Sequence, residues 1–89
     1  MKRLRLRFTG HVQGVGFRAS TQGIARGFAV TGWVHNDPDG SVTMEIQGEA
    51  AVIEEFLMEI DAQLGGYVHN TDRGDTAVLE GEAGFEVRA

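Results

Sequence analysis

Cysteine is missing from this chain of 89 residues, so disulfides, thiolate catalysis and cysteine-based metal sites are excluded. Long apolar runs are missing as well. None could span a bilayer, and the N-terminus M-K-R-L-R-L-R-F lacks the apolar stretch of a secretory signal, so a cytoplasmic protein without membrane contact is expected. Basic residues are outnumbered, with 8 Lys and Arg against 13 Asp and Glu and a net charge of −5. That balance argues against general affinity for nucleic acid, whose binding comes mostly from phosphate neutralisation. Aromatic residues amount to 8%, and the strands lack the exposed rings on which RNA bases stack. What is present is an ordinary globular composition, 42% hydrophobic and 24% charged. It predicts one small domain over residues 1–89, with a single core and modest stability.

Hydrophobic periodicity divides the chain. Leu4, Leu6 and Phe8 alternate with Arg3, Arg5 and Arg7, a period of two that predicts a half-buried strand. The arginines belong on its solvent face, paired with acids on neighbouring strands such as Glu45 or Glu86. From Ala19, A-S-T-Q-G-I-A-R-G-F-A predicts a helix of about ten residues with Ile24, Ala25 and Phe28 on its apolar stripe. Gly23 and Gly27 weaken it by about 1 kcal/mol each relative to alanine. Val30–Asn36 predicts a second strand, Asp37-Pro-Asp-Gly40 a tight turn, and Ser41–Gly48 a third strand, together a β-hairpin. Val52, Ile53, Phe56, Leu57, Ile60 and Leu64 then mark an amphipathic helix from Glu49 to about Leu64, stopped by Gly65-Gly66. Beyond it, Tyr67–Arg73 is polar for a strand, Gly74–Gly84 reads as loop, and Phe85–Arg88 alternates as a short terminal strand. The order is βαββαβ. With right-handed crossovers it predicts an α+β, ferredoxin-like sandwich: an antiparallel sheet with both helices on one face and the other face open to water.

The chemistry concentrates in G-H-V-Q-G-V-G-F-R, residues 10–18, with three glycines among nine residues. Glycine lets the backbone turn sharply and approach a ligand without a Cβ in the way. A loop of this kind leading into a helix can aim several N–H groups at one anion. Arg18, at or near the helix start, supplies a planar fork of donors matched to phosphate or carboxylate oxygens.

Two segments in order resemble the acylphosphatase family. G-H-V-Q-G-V-G-F-R is similar to its phosphate-loop signature, with Thr21 three residues after the arginine. G-W-V-H-N at 32–36, followed by D-P-D-G-S-V, is similar to its second signature, and Asn36 falls eighteen residues after Arg18. The likeness is close from Arg3 to Gly48 and only in outline beyond. It implies hydrolysis of the carboxyl–phosphate bond of acyl phosphates to a carboxylate and inorganic phosphate. It implies that Arg18 and the amides of Gln13, Gly14, Val15, Gly16, Phe17 and Arg18 bind the phosphoryl group, that Asn36 positions the attacking water, and that Thr21 supports the loop or caps the helix. No metal and no cofactor are implied. The expected partner is a small acyl phosphate, with no nucleic acid and no membrane, and the chain is expected to be a monomer. After the second helix the family has a G-P-P-like turn and an apolar strand, where this chain has Gly65-Gly66-Tyr67 and V-H-N-T-D-R.

Other candidates are weaker. His11, His35 and His69 invite a metal or acid/base reading, but His11 sits at a position that varies in the family pattern, and alternation points His35 away from the face of Asn36. Asp37 and Asp39 suit turn chemistry, and a carboxylate near a phosphate pocket would repel the substrate. Ser20 and Thr21 have no base placed to activate them. Trp33 reads as a packing residue. Two other functions fit the pattern less well. One is the acylphosphatase-like domain of a carbamoyl-transfer maturation protein, in which Pro-Phe follows the arginine, whereas Ala19-Ser20 follow Arg18 here. The other is a non-catalytic module that binds phosphate or RNA on the open sheet face.

Overall fold

The alternating N-terminal segment becomes a central strand. In the computed structural model, which describes residues 1–89, the elements are β1 (Lys2–Gly10), α1 (Phe17–Ala25), β2 (Thr31–Asn36), β3 (Val42–Gly48), α2 (Ala50–Leu64), β4 (Val68–Asp75) and β5 (Phe85–Arg88). A single 3-10 turn, Gly65–Tyr67, separates α2 from β4. The sheet order is β4-β1-β3-β2-β5. Four strands pair antiparallel in the ferredoxin-like arrangement, and β5 adds to the outer edge of β2 in parallel, which makes the sheet mixed. The register sets Leu4, Leu6 and Phe8 opposite Ile46, Met44 and Val42. These residues, with Val34, Ile24, Ile53, Phe56, Ile60 and Leu64 from β2 and the helices, form one buried core. No helix is long and apolar enough to cross a membrane.

Three local expectations are revised. Helix α1 begins at Phe17 and ends at Ala25, because Gly27 and Phe28 bond back to the carbonyls of Ile24 and Ala25 in a tightened turn. Arg18 therefore lies inside the first turn of the helix. The polar stretch after α2 does form a strand, β4. Its helix-side residues Thr71, Arg73 and Asp75, opposite Phe8, Leu6 and Leu4, are exposed, so main-chain pairing with β1 holds it rather than core burial. A cavity of about 110 Å³, lined in part by Leu6, Phe8, Leu57, Ile60 and Val68, is left beneath it.

The third revision concerns the second sheet face, which is covered at one end. Residues 76–84 cross from the β4 edge to the β5 edge as a strap. The Thr76 N–H donates to the Arg3 carbonyl and the Gly32 N–H to the Gly84 carbonyl. Gln47 clamps Leu79 through both its backbone groups at 2.9 Å each. Under the strap Arg3 is only 1% exposed. Its guanidinium donates to both Glu82 carboxylate oxygens at 2.7 and 3.1 Å and to Glu45 at 2.7 Å. The fork holds the Glu82 carboxyl below the usual carboxylate range. Glu45 also accepts from Arg5, as the pattern predicted, whereas Glu86 pairs with Arg88 and not with the stripe. Trp33 sits on this face, half-buried between the guanidiniums of Arg5 and Arg88, 5.8 and 4.7 Å from the ring centroid.

Removing one partner of a buried pair leaves the other charge uncompensated. Glu82→Ala should therefore cost about 2–3 kcal/mol of stability in urea denaturation, since Arg3 retains Glu45. Glu54→Ala, which breaks the half-exposed pair with Arg73, should cost less than about 1 kcal/mol. Equal losses would refute the distinction.

Candidate active site

The loop after β1 is held at its ends by two apolar residues, Val12 and Phe17, each 1% exposed. The Phe17 ring packs 5.2 Å from that of Phe8. Burying Phe17 as the first residue of α1 turns its neighbour Arg18 outward, since successive helical side chains point about 100° apart. Between the two anchors Gly14 and Gly16 both take φ of 78°. No protein atom lies within 4 Å of where a Cβ would stand at either, so the left-handed backbone, and not crowding, requires glycine there. Gly16 caps α1 without any side-chain hydrogen bond, and no acid lies in the first turn. The first bond of the helix runs from the Ser20 N–H to the Gly16 carbonyl. No backbone N–H from Gln13 to Ala19 donates to a protein group, so a run of donors is left free.

Arg18 is half-buried. One Nη donates to the Arg88 carbonyl of β5 at 2.7 Å, and no carboxylate pairs with it. That is exceptional in this chain. Of the eight Lys and Arg side chains, Lys2, Arg3, Arg5, Arg7, Arg73 and Arg88 all form ion pairs. Only Arg18 and Arg26 do not.

Asn36 ends β2 on the core side of the sheet, in alternation with buried Val34. Its side-chain Oδ1 is buried and has no partner, and the same is true of the Thr21 hydroxyl one turn along α1 from Arg18. His35 faces the other way, with Nδ1 3.1 Å from Asp37 Oδ1. The turn that follows is built from the two aspartates as expected. Asp37 Oδ2 lies 2.7 Å from the hydroxyls of Ser41 and Thr43, and the Ser41 N–H donates to Asp39 at 3.0 Å. Arg7 bridges to Ser41 and Asp39.

One link joins the two halves of the site, and it was not foreseen. The Gln13 side-chain amide donates to the carbonyls of Asp37 and Ser41, both at 2.8 Å. It thereby ties the glycine loop to the turn immediately after Asn36. The sequence placed Gln13 in the loop, but its side-chain acceptors are backbone carbonyls, which leave no trace in residue type. Val15 stands exposed at the loop tip, and Arg18 and Asn36 make no hydrogen bond to each other. The fold contains no group of three or more His, Asp or Glu side chains that could hold a metal ion.

Comparison with known proteins bears on the family and the fold. The profile of the family described as Acylphosphatase matches residues 4–86. An acylphosphatase of Lactobacillus gasseri is 42% identical over 89 residues, covering 98% of each chain. One of Salinibacter ruber is 39% identical over 88 residues, covering 98% of this chain and 93% of its own. The chain belongs to the acylphosphatase family. The crystal structure of an acylphosphatase from Bacillus subtilis matches with a TM-score of 0.88 at 28% identity, over the full length of both chains. This likeness covers the polar β4 and the parallel β5, which sequence pattern left least defined.

The Asp39 carboxyl reports on the turn beside Asn36. Hydrogen bonds from the Ser41 hydroxyl and N–H, with Arg7 adding to them, lower its pKa to about 2. A carboxyl whose pKa is depressed on folding stabilises the fold above the ordinary carboxylate value, and that contribution is lost as pH falls toward the depressed one. NMR titration should place Asp39 near 2 in the native chain and higher in Ser41→Ala, which removes the leading cause. An unchanged Asp39 in that variant would refute the assignment.

Proposed function

We propose that this member of the acylphosphatase family cleaves the mixed anhydride of a small acyl phosphate by direct attack of water on phosphorus. In this scheme Arg18 and the loop amides from Gln13 to Arg18 hold the phosphoryl group, and Asn36 holds the water. The observation that carries the reading is the state of the donors. A run of unpaired N–H groups at a helix start lies beside one of two cations in the chain without a carboxylate partner. Such an array suits a dianion, and no carboxylate of the protein meets it.

Phosphoryl transfer asks mainly for positioning and for charge stabilisation on the three equatorial oxygens. The free N–H groups of the Arg18 fork and of the loop meet those oxygens, while the Arg88 carbonyl steadies the fork. The attacking water forms the new P–O bond as the bond from phosphorus to the acyl oxygen breaks. The products are a carboxylate and dihydrogen phosphate, the water's protons ending on phosphate oxygens. A carboxylate leaving group, with a conjugate acid of pKa about 4, departs without a general acid. Asn36 cannot act as a strong base, but its unpaired Oδ1 can accept a hydrogen bond from the water and orient it. Thr21, fully buried in α1, supports the loop by packing and not as a cap, its hydroxyl having no partner in the protein. The scheme draws on no cofactor.

The rival reading, a nucleic-acid surface on the second sheet face, loses its donors. Arg3, Arg5 and Arg7 are committed to Glu45, Glu82 and Asp39, and the strap covers one end of that face.

Incubation with acetyl phosphate in water labelled with heavy oxygen tests the proposal. Phosphate release should continue in the presence of a chelator, with the label in phosphate and none in acetate. Arg18→Ala and Asn36→Ala should each lower kcat/KM by about 10²–10³-fold while the chain remains folded by circular dichroism. Normal turnover by both variants would overturn the mechanism. Label in acetate would move the attack to the carbonyl carbon, and absence of turnover in the native chain would favour a binding module.

A further inference from the structure

Two histidines unused by this chemistry meet at the foot of the loop. His11 is the first residue after β1 and His69 the second of β4. Their ring centroids lie 6.4 Å apart with the planes at 90°, and both residues are exposed. The meeting is set by the backbone. Thr9 pairs with Asn70 and Gly10 with Val68, so His69 is the extra residue of a β-bulge, a device that re-aims a side chain and is frequent beside functional sites. Gly10 locks the bulge, because a Cβ there would stand 2.5 Å from the Tyr67 carbonyl oxygen and 2.7 Å from the His69 nitrogen. Neither imidazole has a carboxylate within 4.0 Å or a hydrogen-bond partner in the protein; the one His–acid contact in the chain belongs to His35.

We propose that His11 and His69 form a site for one divalent transition-metal ion that favours imidazole, namely Zn²⁺, Ni²⁺ or Cu²⁺. With metal–nitrogen bonds of about 2.0–2.1 Å, two imidazoles sharing a tetrahedral ion have centroids on the order of 5 Å apart. Rotation of two exposed side chains by about an ångström closes the difference from the observed separation. No third protein ligand stands by, so water or an anion fills the other positions and the site remains open. The ligands come from opposite sides of the bulge. An ion held there cross-links the entrance of the glycine loop to β4, and so restrains the segment that carries Gln13 and Gly14. The pairing depends on the conjunction of His11 with the bulged His69, and the sequence shows no spacing that would signal it.

Calorimetric titration of the full chain with nickel chloride and with zinc chloride tests the site, using native protein, His11→Ala, His69→Ala and His35→Ala. The native chain and His35→Ala should bind one ion per chain with equal affinity. His11→Ala and His69→Ala should bind at least about tenfold more weakly, since even the loss of an outer-shell partner costs that much. Amide hydrogen exchange across residues 11–16 should slow on addition of the ion to native protein and be unaffected in His69→Ala. Absence of saturable binding, equal binding by native protein and His69→Ala, or an equal effect of the ion on loop exchange in both would overturn the proposal. These readouts do not use acyl phosphate turnover, so the metal site stands or falls apart from the catalytic reading.

Discussion

The contact between Phe17 and Phe8 is the constraint on which the site depends. Placing a large ring at the first position of α1, and burying it against β1, fixes both the start of the helix and its rotation about its axis. Arg18 then emerges from the surface with one donor group tied to β5. The loop between β1 and that ring has only a few residues in which to turn back, and it does so through two left-handed glycines that leave its N–H groups unpaired. Unpaired donors are unfavourable when desolvated. Here Gly14, Val15, Gly16 and Ala19 are exposed residues, at the start of a helix whose dipole favours an anion.

The same chain handles charge in two ways. Most cations are consumed structurally: the arginine stripe of β1 is matched across the sheet and from the strap by Glu45, Glu82 and Asp39. Burial of Arg3 is tolerated because its fork meets two carboxylates and the Gln47 side chain, so little of its donor capacity goes unmet. Arg18 differs in partner and not in residue type. Its acceptor is a neutral backbone carbonyl, which orients the fork and leaves its charge uncompensated. The net negative charge of the chain is compatible with a local anion site, since Asp37 and Asp39, the acids nearest Asn36 in the chain, are engaged by Ser41, Thr43 and Arg7.

Much of the fold was legible from pattern, and the illegible parts have identifiable causes. The alternation in β1 and β3 and the 3.6-residue stripe of α2 are strong signals because one face of each element packs into the apolar core. β4 carried no such signal: Thr71, Arg73 and Asp75 face the helix side yet stay exposed, and main-chain pairing has no side-chain signature. The strap was invisible for the same reason, apart from Glu82, whose buried arginine partner lies 79 positions earlier. At the proposed site, Arg18 and Asn36 were singled out by two spaced motifs. The Gln13 link and the Arg88 carbonyl were not, because in each the acceptor is backbone.

By itself the sequence determined which segments turn, which alternate and which carry the glycines, arginine and asparagine that the family resemblance singles out. These are local properties, set by steric limits on φ and by the period at which apolar residues recur. Tertiary structure alone decided that one end of the second sheet face is covered, that β5 runs parallel to β2, that the loop is tied to the β2–β3 turn, and that Arg18 lacks an acidic partner while Arg3 and Arg7 meet Glu82 and Asp39. Those outcomes depend on register and on contacts between residues distant in the chain. A one-residue slip in pairing would reassign all of them without changing any local pattern.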